Sequence, residues 1–560
     1  MRQLLADLRF GLRLLAKSPG WSALIVATLA LGVGANTAIF SIVDSVLLRP
    51  LDYPNSERLV RICSTHESVA GFCVASPPDV EDWARQSQTL ENFGTARSWN
   101  LAVGGDEGTE TLAGGLVSGR YLNAFGPAPA VGRLFERSDY LQGQRNVVIL
   151  DHRFWMERFG GSTEVLGELL TIDDESFSVV GVLPSGFEVP ELEHVKLWLP
   201  VPFDPADEKN RNWRGFQAIA MVAADHTRTE AQTELGVLAE RLAREHPETN
   251  AGWGVRLQPL HDRVVGSVRS TLWLFLGAVS FVLLIACANV ASLLLARSLT
   301  RRPELAVRAA LGAGRRRLLS QLLTENLLLA GVGGALGFLL AHGLVRVFIG
   351  LAPADFPRLG QVAIDGGVLA FTVLASLGAT LLFGLVPAMR ASRLELRSGL
   401  VRGTGAVDPR SSRLGSGLVV AEVALALVLL IGAGLMLRSF VNTASWERAL
   451  DHEHLLSMWL LPPQSQYPEP GDVAQLYRRV EEELGRLPSV VSVGATSASP
   501  LFGGRELDEF TAVARPDDPV VGRWFDVSAG YFKTLDVPLR RGRHLSQDDR
   551  AGAPAVALVN

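Results

Sequence analysis

Cysteines and recognisable catalytic motifs are scarce in this chain of 560 residues. It has three cysteines, and it contains no H-E-x-x-H, G-x-S-x-G or S-x-x-K pattern and no G-x-x-x-x-G-K-[ST] loop. The usual metalloprotease, hydrolase and P-loop ATPase sites are therefore not indicated, because each needs its residues at those spacings. We expect no enzyme activity, no catalytic residue, no cofactor and no metal site in this chain.

The three cysteines fall in two different settings. Cys287 lies inside an apolar run and reads as a packing residue. Cys63 and Cys73 are close in sequence, and they could form a disulfide if their segment is extracytoplasmic. A zinc site is not indicated, since no second Cys/His pair accompanies them. Whether this pair is bridged or free stays open at the level of sequence.

Hydrophobic residues make up 48% of the chain, and the mean hydropathy is +0.21. Five stretches have the roughly 20 predominantly apolar residues that a membrane helix needs. They are residues 21–48, 272–296, 327–351, 368–389 and 418–437. The first stretch is longer than a signal-peptide core of roughly 7–15 residues, so we predict an uncleaved membrane helix there.

Basic residues indicate the orientation of these helices. They cluster before the first stretch, between the second and third, and between the fourth and fifth, whereas the connection 352–367 holds only Arg358. Lys and Arg favour the cytoplasmic side, so the segment 297–326 and the linker 390–417 are predicted to be cytoplasmic. Residues 49–271 and 438–560 then lie outside, and residues 1–20 form an amphipathic helix on the cytoplasmic surface.

The first outer segment, 49–271, mixes strand and helix patterns. A buried strand is predicted at 146–150, a hairpin around Asp173–Glu175 and an amphipathic helix over 226–250. The acidic hairpin residues read as a solvated turn rather than a cation site, because Ca²⁺ needs about 6–8 oxygen ligands. The predicted fold class is a membrane α-helical bundle with α+β extracytoplasmic domains.

A sequence repeat links the two outer segments. The stretch beginning at Val117 aligns without gaps with the one beginning at Val527, and each follows a predicted membrane helix. Identical pairs include Ser118/Ser528, Tyr121/Tyr531, Gly132/Gly542, Arg133/Arg543 and Asp139/Asp549. The helix 418–437 would begin the second copy, and the domain 438–560 would be incomplete. We expect the chain to be a fragment; the alternative is a naturally short protein.

The segment 301–326, RRPELAVRAALGAGRRRLLSQLLTEN, separates the second and third apolar stretches. Pro303 suits the first turn of a helix, and Glu304 can pair with Arg308 four residues later. The arginines of this segment are explained by membrane topology alone, because they keep the segment on the cytoplasmic side. The small residues Ala309 and Gly312 go beyond topology, and they indicate a helix that docks in a groove of a partner.

This segment resembles the cytoplasmic coupling segment of ABC-transporter permeases of the macrolide-exporter (MacB) and FtsX type. The stretch ATLALGVGANTAIFSIVDSVLLRPLDYP is similar to the first membrane helix of a duplicated, acidobacterial-type subgroup, and ACANVASLLLAR and GLVPAMRAS match further family blocks. The resemblance implies a MacB-like periplasmic core domain and a helix that contacts an ATPase. The implied ATPase-coupling positions are Pro303, Glu304, Ala306, Arg308, Ala310, Leu311, Gly312, Ala313 and Arg315.

Polar and small residues within the spans predict helix contacts. Asn289 and Glu422 are expected to face other helices, because a carboxylate facing lipid is costly. Gly333 and Gly337 form a small-xxx-small pair that permits close helix packing.

The leading function is a multi-pass permease subunit of an ATP-driven ABC transporter in the bacterial inner (plasma) membrane, acting in efflux or mechanotransmission. Since no ATP-binding loop is present, the expected partner is a separate ABC ATPase. Membrane lipid is a second partner, a periplasmic adaptor or outer-membrane component a third, and no nucleic acid is expected. The alternative is an envelope regulator that transmits ATPase-driven motion to a periplasmic partner without transport.

Overall fold

The computed structural model describes most of the chain. The described residues are 18–66, 73–105, 108–140, 146–192, 194–201, 211–300, 307, 315–353, 356–378, 409–447, 454–458, 460, 462, 467, 469–497, 507–512, 515–523, 525–550, 552–554 and 556–559. The chain divides into two compact units: residues 1–50 with 265–443, and residues 51–264 with 444–560. The predicted amphipathic helix 1–20 lies almost wholly outside the described residues.

The helices in chain order are α1 (Pro19–Val43), α2 (Pro77–Gln86), α3 (Tyr121–Phe125), α4 (His152–Phe159), α5 (Arg228–Glu245), α6 (Pro247–Asn250), α7 (Leu260–Thr300), α8 (Arg315–Leu351), α9 (Gly366–Gly378), α10 (Pro409–Glu447), α11 (Pro470–Gly485) and α12 (Tyr531–Thr534). One turn of π-helix, Asp44–Leu48, extends α1.

The strands are β1 (Leu59–His66), β2 (Leu90–Gly105), β3 (Gly108–Gly119), β4 (Val131–Gly132), β5 (Val147–Leu150), β6 (Leu169–Ile172), β7 (Glu175–Val182), β8 (Leu197–Pro200), β9 (Gln217–Val222), β10 (Trp253–Pro259), β11 (Leu507–Ala512) and β12 (Arg515–Arg523).

Four helical segments in the described residues are long and apolar enough to cross a membrane. They are Pro19–Leu48, Leu260–Leu294, Leu323–Leu351 and Val419–Ser439. These match four of the five predicted stretches, although the second helix already begins at Leu260 rather than at residue 272. The fifth prediction, 368–389, is described only as far as α9, an apolar helix that ends at Gly378.

The first outer domain contains one large mixed sheet, so the α+β prediction is confirmed. Its strand order is β10-β1-β9-β2-β3-β8-β5-β7-β4, with β6 pairing β2 and β7. Most pairs are antiparallel, whereas β3–β8 and β5–β7 are parallel. Helix α5 packs on one part of the sheet through Ala231, Leu235 and Leu238, which share an apolar cluster with β1, β9 and β10.

Local sequence signals explain several boundaries in this domain. Thr227 and Glu230 form a capping box at the start of α5, which satisfies backbone N–H groups that a helix start leaves without partners. Asp173 and Asp174, between β6 and β7, both have positive φ (49° and 66°), as the tight turn of a two-residue hairpin requires. Gly160 ends α4 in the left-handed region (φ 59°).

The edge strand β10 is covered by a side chain of α5. The Gln232 amide donates to the carbonyl of Val255 at 3.0 Å, and its oxygen accepts from the Leu257 N–H at 2.7 Å. Because an open edge presents unpaired backbone groups to other chains, this amide takes the place of a neighbouring strand.

A loop of the first outer domain has a counterpart in the second outer segment. Arg133 donates to both carboxylate oxygens of Asp139 at 2.6 and 3.1 Å, and the N–H of Glu136 donates to the same carboxylate at 2.8 Å. Arg543 donates to Asp549 at 2.6 Å through each of two nitrogens, and the N–H of Ser546 donates to Asp549 at 2.8 Å. The repeat in sequence is thus also a repeat in local structure.

The match extends to a segment upstream of each loop. A Cβ on Gly94 would overlap the backbone of Tyr121, and a Cβ on Gly494 would overlap the backbone of Tyr531. In the same way, the bridge between Thr496 and Val527 corresponds to the pairing of Ala96 with Val117. Glycine is required at both positions, because a helical turn crosses the strand at backbone distance.

Candidate functional site: the first membrane helix and its partners

The predicted ATPase-coupling residues fall between α7 and α8. Pro303, Glu304, Ala306, Arg308, Ala310, Leu311, Gly312 and Ala313 lie outside the described residues, and Arg315 is the first residue of α8. The assignment of these residues therefore stays a prediction. What the structure describes is the helix bundle that this segment would move.

The predicted small-residue pair is placed where α8 crosses α1. A Cβ on Gly337 would lie 3.0 Å from the Ala30 carbonyl oxygen and 3.1 Å from the Gly34 nitrogen. A Cβ on Gly333 would lie 2.8 Å from the Leu29 Cβ. Any larger side chain at these positions would push the two backbones apart, so close packing of α1 on α8 depends on glycine.

Buried polar side chains of α1 reach two further helices. The Asn36 amide donates to the Gly32 carbonyl at 2.9 Å and to the Val279 carbonyl of α7 at 2.6 Å. The Thr37 and Thr372 hydroxyls lie 3.0 Å apart and connect α1 to α9. Asn36 and Thr37 are both buried. In an apolar medium such groups must find partners, and here those partners lie on neighbouring helices.

The inner end of α1 is also tied to α7. Arg297 donates to the Ser18 hydroxyl at 2.9 Å, and Ser18 immediately precedes α1. Between this contact and Asn36, Ile25 and Leu29 pack with Cys287 and Val290 of α7 in one apolar cluster. Cys287 is buried there, which confirms its reading as a packing residue. Helix α1 thus contacts α7, α8 and α9.

The two polar residues predicted to make helix contacts, Asn289 and Glu422, are only partly buried. Asn289 is half-buried between buried Ala288 and Val290. Glu422 is half-exposed on α10, whose apolar window over Val419–Ser439 is not buried anywhere within the described part of the chain. The expected role of Glu422 in packing stays a prediction.

Sequence reasoning missed a row of buried hydroxyl residues on α1, of which Thr37 contacts α9 and Ser41 contacts the connection before α9. Thr37, Ser41 and Ser45 recur every four residues along α1 and its π-helical extension, and all are buried. This spacing places them on one helix face. The regular occurrence of hydroxyl residues within a long apolar run was the available signal.

The outer domain holds a disulfide and a buried ionic cluster. Cys63 and Cys73 are joined by a disulfide, and both are buried. Arg211 donates to Asp79 at 2.7 Å and to Asp82 at 2.6 Å. Burial disfavours the charge on Arg211, but the hydrogen bonds that it donates to these carboxylates raise its pKa above the ordinary value.

Arginine side chains of the outer domain stack on tryptophan rings. Arg214 stacks over Trp253 with its guanidinium carbon 4.3 Å from the ring centroid, and Arg97 stacks over Trp213 at 5.0 Å. Within the described ranges, no group of three or more His, Cys, Asp or Glu side chains could hold a metal ion. These contacts stabilise the outer domain.

Apolar helices joined by small and polar contacts, together with an α+β outer domain, define an integral membrane protein with a large extramembrane part. Two family models match the chain: the MacB-like periplasmic core domain over residues 22–236, and the FtsX-like permease C-terminal domain over residues 276–396. Together they cover more than half of it. The chain is a permease of the MacB/FtsX type, the membrane component of ABC transporters.

Relatives with known names show the same assignment. The chain is 27% identical over 265 residues to the pyoverdine export ATP-binding/permease protein PvdT of Pseudomonas entomophila, covering 47% of this chain and 39% of that protein. It is 27% identical to the macrolide export ATP-binding/permease protein MacB of Escherichia coli, covering 51% of this chain and 43% of MacB. The match to the ABC transporter permease YknZ of Bacillus subtilis is 25% identical and covers 52% of this chain and 70% of YknZ. The chain thus spans less than half the length of the ATP-binding/permease relatives.

Solved structures with similarity to the chain include two extramembrane domains. The periplasmic region of MacB from Actinobacillus actinomycetemcomitans is 16% identical with a TM-score of 0.28, covering 41% of this chain and 97% of that one. The extracellular domain of YknZ from Gram-positive bacteria is 13% identical with a TM-score of 0.27, covering 35% of this chain and 99% of that one.

Proposed function

We propose that this chain is the permease subunit of an ATP-driven system whose ATPase is a separate protein. The ATPase binds the coupling segment from Pro303 to Arg315 on the cytoplasmic side of the bacterial inner membrane. The segment lies within the FtsX-like match, and its small-residue stripe flanked by arginines suits docking in a groove. ATP binding by the partner displaces this segment.

The observation that carries the proposal is the continuity of α7. The chain passes from β10 directly into this helix of 41 residues, which ends at the coupling segment. At 1.5 Å per residue such a helix is about 60 Å long. Since Asn36 and Arg297 tie α7 to α1, a displacement of its inner end moves more than one helix. We therefore favour mechanical transmission to the outer domains.

The relatives favour export as the outcome of this motion. PvdT and MacB are named for the export of pyoverdine and of macrolides. By analogy, this permease expels cargo from the periplasm or extracts it from the outer leaflet of the membrane. Membrane lipid surrounds the helices, and a periplasmic adaptor or outer-membrane component completes the route for export across the cell envelope.

A pull-down with the ATPase encoded beside this chain tests the coupling segment. We expect Gly312→Trp in the full chain to abolish association, because the large side chain fills the shallow face of the docking helix. The matched control is Gly350→Trp, at the outer end of α8, where nothing lies within 4 Å of the glycine. Unchanged association of the Gly312 variant would show that the segment is not the ATPase site.

Solute flux separates transport from signalling. The permease and its ATPase are reconstituted in proteoliposomes, and the release of a loaded dye mixture is followed with ATP and with a non-hydrolysable analogue. ATP-dependent flux supports export. ATP-dependent conformational change without flux for any dye supports a regulator that transmits motion to a periplasmic partner.

A further inference from the structure

The described part of the connection between α8 and α9, residues 352–353 and 356–367, contacts the outer end of the first membrane helix. Its first part is held to α8: the N–H of Ala352 donates to the Phe348 carbonyl at 2.8 Å, and the Phe356 ring meets the Phe348 ring edge-on with centroids 5.3 Å apart. Phe356 is thus held against the end of that helix.

Arg358 then reaches the end of the α1 extension. It donates to the carbonyl oxygens of Val46 at 3.2 Å, Arg49 at 2.7 Å and Pro50 at 2.8 Å. Carbonyls at a helix C-terminus lack intrahelical partners and carry the negative end of the helix dipole. A guanidinium suits this place, because its planar fork presents several donors at once.

The conformation of Arg358 indicates that its position is imposed by these contacts. Its φ is +57°, a left-handed conformation that is costly for a residue with a side chain and that persists only where the surroundings hold it. The Arg358 Nε also donates to Gln361 at 2.6 Å, which fixes the guanidinium. Glycine would adopt this backbone conformation without strain.

A second set of contacts joins the same connection to α1. The Ser41 hydroxyl donates to the Ala363 carbonyl at 3.0 Å. Arg49 forms ion pairs with Asp44, at 2.9 Å, and with Asp365. Asp365 also accepts from the Val368 N–H at 3.0 Å; that backbone bond, and then the charge of Arg49, hold the pKa of this carboxyl below its ordinary value.

We infer that the described segment 356–367 is a latch, with Arg358 as its positioning residue, that transfers movement of α8 to the point where α1 leaves the membrane for the outer domain. This rests on the proposed function. Helix α8 begins at the coupling segment, and the latch joins its outer end to Val46–Pro50, directly before the outer domain begins at Leu51. The outer domain is therefore moved through both of its connections, α7 by continuity of the chain and α1 through the latch.

The test measures movement and ATP hydrolysis in the same sample. The full chain and its ATPase are placed in nanodiscs, with Cys287→Ser as background and spin labels at the exposed positions Val237, in the outer domain, and Leu344, in α8. The distance distribution is recorded with and without ATP. Arg358→Gly is the main variant, because it removes the guanidinium and keeps the left-handed backbone accessible.

We expect Arg358→Gly to bind the ATPase and hydrolyse ATP at the wild-type rate, whereas the ATP-dependent change in label distance is smaller than in the wild type, because only α7 still moves the outer domain. Arg358→Lys should fall in between, because an ammonium cannot present the same fork. The control is Arg346→Ala, which removes an exposed arginine near the outer end of α8 and should behave like the wild type.

The outcomes separate the latch from the proposed function. If Arg358→Gly shows the same ATP-dependent change as the wild type, the latch is wrong and the proposed function stands. If the wild type binds the ATPase but shows no ATP-dependent change, mechanical transmission itself is wrong. A loss of ATPase association in Arg358→Gly and Arg358→Lys, with normal association of Arg346→Ala, would also overturn the inference, because Arg358 would then act on docking rather than on transmission.

Discussion

Gly34 and Gly337 bring two membrane helices to backbone contact: a Cβ on Gly34 would lie 2.9 Å from the carbonyl oxygen of Gly337. We expect Gly337→Leu to destabilise the bundle by about 1–3 kcal/mol, because overpacking forces neighbouring groups to shift. Thermal unfolding of the full chain in nanodiscs measures the loss. Gly343→Leu is the control, since its side chain would enter open space; an equal loss in both variants would refute the contact.

The buried carboxylate of Asp79 predicts a large effect in the outer domain. Asp79→Ala leaves Arg211 with one acid partner fewer, and both residues are 2% exposed. Removing one partner of a buried ion pair typically costs about 3–5 kcal/mol. We expect a loss of this size in urea unfolding followed by tryptophan fluorescence.

The control for Asp79 is Glu81→Ala on the same helix. Glu81 pairs with Arg85 at 3.4 Å on the surface, and exposed pairs contribute about 0–1 kcal/mol. If the two variants lose the same stability, the buried cluster does not hold the domain as argued.

The disulfide between Cys63 and Cys73 predicts that the stability of the outer domain depends on the redox conditions. Cys63→Ser with Cys73→Ser should lower the free energy of unfolding by about 2–3 kcal/mol, the loop-entropy contribution expected for a short closed loop. Mass spectrometry of alkylated protein checks the bridge itself. Alkylation of both cysteines in non-reduced native protein would contradict the bridge, and with it the extracytoplasmic setting it indicates.

Glu234 predicts acid sensitivity of the contact between α5 and residues 87–89, which directly precede β2. Burial opposes its ionisation, but hydrogen bonds from Ser87 and Thr89 hold the pKa of Glu234 below its ordinary value. Stability from a lowered acid pKa is present above the unfolded pKa, about 4.3 for Glu, and is lost as the pH falls through the lower folded pKa.

We therefore expect Glu234→Gln to be less stable than the wild type at pH 7, with the gap closing as the pH falls below about 4.3. Thermal midpoints across this range measure it. Glu240→Gln changes an exposed position of the same helix. Its thermal midpoint should differ from that of the wild type by an amount that does not change with pH. If the thermal midpoint of Glu234→Gln differed from that of the wild type by the same amount at every pH, the ionised form of Glu234 would contribute nothing to stability.

Features set by neighbouring residues could be predicted from the sequence. Apolar length located the described spans, the amphipathic pattern over 226–250 marked a helix, and the acidic turn at Asp173 marked a hairpin. In each case the signal and the structure lie within one or two turns of chain. The small-residue pair at Gly333 and Gly337 was also readable, because its spacing alone places both on one helix face.

Features that depend on distant partners could not be predicted. Asn36 finds the carbonyl of Val279, 243 residues away, and a backbone carbonyl has no sequence signature. The parallel pairing of β3 with β8 is likewise set by how the whole domain packs. Arg358 was visible as an isolated arginine in an outer connection, but its acceptors are three carbonyls that any residues could supply.

The twofold occurrence of the arginine–aspartate loop has a consequence for how this permease can evolve. A homodimer is encoded once, so every substitution appears in both subunits and must suit both. Here the two loops already differ: Glu136 lies 3.7 Å from Arg133 in the first, whereas the Ser546 hydroxyl donates to Asp549 at 3.3 Å in the second. Because each copy mutates alone, one loop can acquire a new specificity while the other conserves the original fold.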